Sequence, residues 1–597
     1  MIRLIRFKLY VIVFLLLSTG LGATSNPPEL VADRIFSGGT IITVNDEQPL
    51  VQAVAIKAGK IIFAGDLVLA RAYANDETDW VDLSGNTLLP GFIDAHTHPI
   101  LSALMGKTVD VSGFKHRNSD AVWRSLREGV ASASAGDWVI AYGWDPAMLN
   151  DLAAPTMAQL DALAPNNPLL IITQTLHTAF ANSQAFALAG VTKETPDPGG
   201  GAFEKDAEGE LTGTVIEVPA IAYFKKVTPR YPRAAYQYLL ENQMQTYARA
   251  GYTTIVAPGL QPLMPQPIEA IQFATDYVGA PVRLRTYPLA QTLDAANEAG
   301  ALYGSHQGSE RFAVLGVKLW VDGSPYAGGM AMAEPYLDTV LTQKALGIPA
   351  ASRGHLTYSD AELNALVQHY HDAGWQISAH AQGERAVDQF LNAVALAADK
   401  NPRVDHRHRM EHLALITQAQ LARAKQLGVT TSFYIEHIRY YGEALRDFIV
   451  GPERSERFMP QAWALAAGHH VSFHTDSPSS PLNVFNAMQT SVTRQSQVSD
   501  VVIGADQKVS PEQALKMLTI DAAWQIFEED NLGSIAAGKK ADFTLLSGNP
   551  LTLPVSEWTE LSVVNTFIDG EPVQADGFTF RKLTLLAQAG WQVVFGE

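Results

Sequence analysis

Residues 88–99, LLPGFIDAHTHP, decide how this chain is read. A short apolar run interrupted by Pro90-Gly91 reaches Asp94, and His96 and His98 follow, two residues apart. In an extended segment that spacing sends both side chains to one side. Paired imidazoles at a strand end suit one metal ion. The run at 88–95 is the first of eight apolar stretches; the others are 253–257, 283–289, 314–321, 375–379, 409–413, 430–434 and 471–475, with helix-like segments between them. Runs of that length are what strands buried on both faces look like. Eight of them predict an α/β fold, a (β/α)8 TIM-like barrel spanning 86–534.

Barrels of this kind carry their reacting groups at the C-terminal ends of the strands. His380 follows QISA, His412 follows RME, and Asp476 follows SFHT, each at the end of a different predicted strand. With His96 and His98 they make four imidazoles and a carboxylate, the nitrogen and oxygen donors that zinc and its neighbours prefer. Taken singly, each histidine reads equally well as a surface or hydrogen-bonded residue, and Asp476, before Ser477-Pro478, as a helix cap. Their arrival in register with the counted strands favours the metal.

The wide gap between the first and second strands leaves about 105–245 as an insertion, with extra strands expected at 138–144 and 169–180. Long insertions on barrel loops usually roof the site. Residues 31–85 alternate short β-type runs with turns, and the texture returns between 542 and 573. These two pieces, 31–85 and 535–597, are expected to pair into one small β-sandwich domain. The tail from 578 reads as a β segment followed by a short amphipathic piece. At the other end Arg3, Arg6 and Lys8 precede the apolar run 9–17, and small or polar residues follow. That is a signal peptide over 1–25, with a run shorter than the roughly 20 residues of a spanning helix. Export to the periplasm or the exterior is expected, with an uncleaved anchor as the alternative.

Composition bounds the function. With 47% hydrophobic and 17% charged residues the 597-residue chain is globular. A net charge of −18 argues against nucleic acid or an anionic membrane surface as partner, leaving a small molecule. Zero cysteines exclude disulfides, thiolate ligands and a thiol nucleophile.

The sequence resembles the amidohydrolase superfamily, and within it the amidohydrolase family 3 group typified by YtcJ-like proteins and N-substituted formamide deformylase. The resemblance rests on PGFIDAHTHP (90–99), VKLWVDGS (317–324), ISAHAQGER (377–385), RMEHL (409–413), FHTDSP (473–478) and GSIAAGKKADFTLL (533–546). It implies two divalent ions, zinc by donor preference, with His96, His98 and Asp476 on the more buried one and His380 and His412 on the other. It also implies that Lys318 carries a carbon dioxide-derived carbamate and bridges both. Without the resemblance Lys318 would be a strand-end lysine reaching solvent. An ammonium beside two dications would be repelled, whereas a carbamate would be attracted.

Such a centre makes hydroxide available near neutral pH, and Asp476 would move a proton from it to the leaving group. Around the metals, His177 and His437 are expected to polarise or orient substrate. Asp322 and Glu411 are candidates for fixing imidazole tautomers. Trp144, Asn182, Trp320, Asp322, Tyr326 and Tyr434 are expected to line the pocket. The family precedent implies an amide-type C–N bond, as in an N-substituted formamide or N-acyl amine. An ester, lactone or cyclic amide on the same centre, or a non-catalytic exported binding protein, are the alternatives.

Overall fold

The computed structural model describes residues 30–198, 201–260, 266–295, 304–574, 577 and 579–595. The expected signal peptide at 1–25 lies outside the described residues. Among the described residues no helix is long and apolar enough to cross a membrane.

All eight predicted stretches contain strands. Phe92–Asp94, Tyr252–Leu260, Arg283–Pro288 and Phe312–Val314 pair in parallel, in chain order. Gly316–Trp320, Gln376–Ala381, Arg409–His412, Thr430–Phe433 and Val471–Phe473 form a second parallel sheet, also in chain order. The sheets meet at two seams. On one, Leu289 bridges Lys318 in parallel. On the other, Asp476 N donates to His96 O at 3.0 Å and His98 N donates to Ser477 O at 2.9 Å. Nearly every residue in these strands is buried, as the apolar runs require.

Two expected strands are divided. The run 88–95 breaks at Gly91, whose N–H donates to Asp542 O at 2.9 Å; its first half, Thr87–Pro90, pairs antiparallel with Phe543–Leu546 in another sheet. A Cβ at Gly91 would sit 2.0 Å from Thr253 Oγ1, so only glycine permits the approach. The run 314–321 breaks at Leu315, whose N–H bonds back to Thr286 O at 3.0 Å.

The segments outside the central strands do pair across the chain. Lys60–Gly65, Leu50–Lys57, Arg34–Ile42, Thr87–Pro90, Phe543–Leu546, Val563–Ile568 and Glu571–Pro572 follow one another in an eight-stranded sheet, with Asp79–Asp82 beside Arg34–Ile42. Phe36 contacts Phe543 and Phe567 edge-on at ring separations of 5.5 and 5.1 Å, tying the two ends of the chain together. The tail departs from expectation. Instead of a β segment and a short amphipathic piece, Phe580–Phe595 is one 16-residue helix packed against the helix Arg233–Arg249. Arg581 Nε, 3.0 Å from Glu241 Oε2, pins it there.

The stretch between the first two central strands holds a six-stranded sheet of Val109–Asp110, Val139–Trp144, Leu169–Thr173, Thr178–Ala181, Leu211–Ile216 and Ala202–Lys205. The expected strand at 169–180 is two antiparallel strands. The turn between them carries His177, with Leu176 at a φ of +66°.

Candidate metal centre and substrate cavity

The predicted donors converge at the C-terminal ends of the central strands. His98 Nε2 lies 3.0 Å and His96 Nε2 3.5 Å from Asp476 Oδ1. Ligand atoms of these three residues all fall within 4.8 Å of one another. The His412 ring is 4.5 Å from His380 and 4.8 Å from His96. Five side chains from four separate strand ends therefore share one small volume.

Carboxylates behind the imidazoles set their tautomers. Glu411 Oε2 lies 3.2 Å from His96 Nδ1, and Oε1 accepts from Ser378 Oγ and Arg409 Nε, both at 2.9 Å. Burial works against ionising Glu411, but Arg409 and Lys318 outweigh it and hold the carboxyl below its usual range. Asp322 Oδ1 lies 2.9 Å from His380 Nδ1 and also accepts the Gln382 N–H, while Oδ2 accepts the N–H groups of Gly383 and Ala331. A proton fixed on Nδ1 leaves Nε2 of each ring free to bind a cation. Burial pushes His96 and His412 well below the ordinary imidazole pKa, so both rings are neutral, the form able to ligate a cation.

Two buried atoms test whether a metal fits. Asp476 Oδ1 accepts no hydrogen bond among the described residues, although two imidazole nitrogens face it at 3.0 and 3.5 Å. An oxygen and two nitrogens that converge without a hydrogen bond between them are what a cation would satisfy. Lys318 Nζ is fully buried and has no hydrogen-bond partner there either. Its pKa is lowered to about 8 by burial, against the pull of Glu411 and Asp476. Leaving either group unsatisfied costs about 1–3 kcal/mol or more. The residues fit a cationic centre. Gly259, at a φ of +73°, keeps the space beside Lys318 open, since a Cβ there would lie 3.3 Å from Lys318 Cγ and 3.9 Å from His98 Cε1.

Above these groups opens a cavity of about 470 Å³. His96, His98, His380, His412 and Asp476 border it, as do His177, Trp320, Asp322, Tyr326, Tyr434 and His437. Trp144 and Asn182 do not. Trp144 is buried on the six-stranded sheet against Trp123 and Phe180. Asn182 caps the helix Ser183–Ala189 and bonds Ala164 O and Asn167 O. Both expectations are corrected because an aromatic or amide near a strand end serves local packing as readily as a pocket. Asp322 touches the cavity, but with four donors filling its carboxylate it orients His380 and has no acceptor left for substrate.

His177 Nδ1 lies 2.9 Å from Glu217 Oε2, both on the inserted domain. His437 is buried, its pKa pushed down to about 3 by that burial, and its Nδ1 shares a 2.7 Å hydrogen bond with Tyr326 Oη. Sequence reasoning passed over His474. Its Nε2 is 3.2 Å from His412 Nδ1 and its Nδ1 2.7 Å from Ser432 Oγ, and with His96 and His412 it forms a second group of close ligand atoms. The signal was its position two residues before Asp476 on the last strand. Lys225, Gln174 and Tyr441, which also line the cavity, carried no signal, since nothing local ties them to the strand ends.

The sequence pattern of the family described as "Amidohydrolase family" matches residues 79–574. The chain belongs to the amidohydrolase family. As an amidohydrolase it is a hydrolase, and its histidine clusters are candidate metal sites. It is 27% identical over 563 residues to Protein LONG AFTER FAR-RED 3 of Arabidopsis thaliana, covering 91% of this chain and 92% of that one. It is also 27% identical over 553 residues to N-substituted formamide deformylase of Arthrobacter pascens, covering 90% and 97%. In structure it resembles an uncharacterized metal-dependent hydrolase from Pyrococcus horikoshii, with a TM-score of 0.70 and 22% identity over 88% of this chain and 99% of that one. That likeness shows the shared mixed α/β fold.

Proposed function

We propose that this amidohydrolase cleaves an amide-type C–N bond, of the N-substituted formamide or N-acyl amine kind, with two divalent ions held at the strand ends. The observation that carries the reading is the pair of buried, unsatisfied atoms, Lys318 Nζ and Asp476 Oδ1, inside a ring of imidazoles. His96, His98 and Asp476 would hold one ion and His380 and His412 the other. Lys318 would bridge them once converted to a carbamate, its lowered pKa making the neutral amine that reacts with carbon dioxide accessible. Zinc suits the nitrogen and oxygen donor set. When bound, the ions supply Lewis acidity and a water of near-neutral pKa.

The chain's own residues do the rest. Asp476 accepts the proton of the attacking water and delivers it to the departing nitrogen. With Tyr326 as the donor to His437 Nδ1, the imidazole would carry its proton on Nε2 and could donate it to the substrate carbonyl. His177, steadied by Glu217, positions the substrate from the roof, with Trp320 and Tyr434 on the walls. In this reading the two parallel sheets form one closed barrel over 86–534, roofed by an insertion at about 105–245. The terminal segments 31–85 and 535–597 form a small sandwich-like domain, and a cleaved signal directs the chain out of the cytoplasm. The relationship to N-substituted formamide deformylase supports the bond type.

The test is metal content per chain together with a panel of formamides, N-acyl amines and lactones. Turnover of formamides or acyl amines with two zinc per chain is expected. Turnover of lactones alone would overturn the amide reading.

A further inference from the structure

The cavity wall holds one feature that the centre does not use. Among the described residues that line it, Lys225 is the only lysine or arginine. It ends the helix Glu217–Lys225 of the inserted domain and shares the wall with Leu176 and His177. Its neighbour Lys226 stacks over Tyr223, but among the described residues Lys225 has neither an ion-pair partner nor a hydrogen-bond partner for its ammonium. Much of the residue remains exposed, yet the surrounding protein still draws its pKa below the ordinary lysine value. Among the described residues the only carboxylates lining the cavity are Asp322, filled by four donors, and Asp476, whose Oδ1 faces His96 and His98. With no counter-charge among the described residues, this ammonium on the cavity wall is available to an anionic group of a bound molecule, whereas the chain as a whole, at −18, is otherwise unwelcoming to anions.

We infer that Lys225 is a specificity-determining residue that selects amides bearing an anionic group, a carboxylate, some distance from the scissile carbonyl. The inference rests on the amide reading above and adds to it the class of substrate. The insertion thereby does more than roof the cavity, since it supplies the contact that distinguishes an N-acyl amino acid from the corresponding neutral amide. Lys225 takes no part in proton transfer.

The experiment compares N-formyl and N-acetyl amino acids with their carboxamides, using the metal-loaded enzyme. At low salt kcat/KM should favour the acid over the amide by about tenfold, a ratio equivalent to about 1.4 kcal/mol, and the preference should shrink as ionic strength rises. Lys225→Met should lower that ratio by about tenfold through KM, Lys225→Glu should invert it, and Lys225→Arg should retain it. A ratio near one in the unmodified enzyme, or one unchanged in Lys225→Met, overturns the proposal. Calorimetric binding of the matched N-sulfonyl amino acid and its carboxamide, in which a sulfonyl group replaces the scissile N-acyl carbonyl, separates the two readings. Preferential binding of the acid that is lost in Lys225→Met, without turnover of any amide, would remove the amide reading and keep Lys225 as an anion contact. Equal binding of both would remove the role of Lys225.

Discussion

His412 and Asp476 leave their strands with φ values of +74° and +53°, conformations that cost non-glycine residues of order 1–3 kcal/mol each. Both stand at the proposed centre, where the strain aims their donor atoms inward before any ligand arrives. His380→Ala should abolish turnover and lower the bound metal while leaving the melting temperature nearly unchanged; full activity with the metal removed would exclude His380. Asp322→Ala removes the acceptor that fixes the His380 tautomer and should cost about 10–100-fold in metal affinity or activity, measured by competition with a chelator. Tyr326→Phe deletes the 2.7 Å bond to His437 and should lower kcat on the order of tenfold with little change in KM, as expected for a residue that orients a carbonyl donor. An equal loss in both parameters would make Tyr326 a packing residue alone.

At the scale of elements, the segment that delivers Glu411 and His412 is entered through three buried histidines. His408 Nδ1 accepts from Ile377 N at 3.0 Å and its Nε2 is 2.9 Å from His371 Nδ1, whose Nε2 meets Asn401 O at 2.8 Å. His406 accepts from His408 N and reaches Leu427 O at 2.8 Å. Every ring nitrogen already has its partner in the neutral form, so an added proton on any ring breaks a bond. Burial lowers all three, with His406 pushed down to about 4. The folded state then binds fewer protons than the unfolded chain below pH 6.5. The stability these residues confer is complete above that pH and is lost as pH falls toward about 4, on the order of 3 kcal/mol from His406 alone. Chemical denaturation from pH 7 to 4.5 should show the decline, and His406→Asn should flatten it. These histidines carried no sequence signal of their role, because only the packing of the helix Asp360–Asp372 beside the strands brings His371 to His408. The hairpin turn at His177 was equally hidden, since TQTLHT (173–178) contains none of the Gly, Pro, Asn or Asp residues that mark a reversal.

For the whole molecule, the eight-stranded terminal sheet is bolted to the central strands by a buried ion network. Arg283 Nε meets Asp542 Oδ2 at 2.7 Å and its Nη2 meets Oδ1 at 3.0 Å, while Asp569 pairs with both Arg283 and Arg311. Removing one partner strands a buried charge, so Asp542→Ala should cost about 3–5 kcal/mol. It should lower the denaturant midpoint without changing the slope.

The eight apolar runs and the five candidate donors at their ends are legible in residue order alone, because burial on both faces forces short apolar runs and the ends of such strands sit together by construction. So are the β-rich terminal segments, from their turn chemistry. Folding in three dimensions sets the rest: where 88–95 and 314–321 divide, that Trp144 and Asn182 lie away from the cavity, that His474 joins the imidazole cluster and that Lys225 lines the cavity. Those outcomes depend on backbone hydrogen bonds and contacts between residues tens to hundreds of positions apart, which no local pattern of residues encodes.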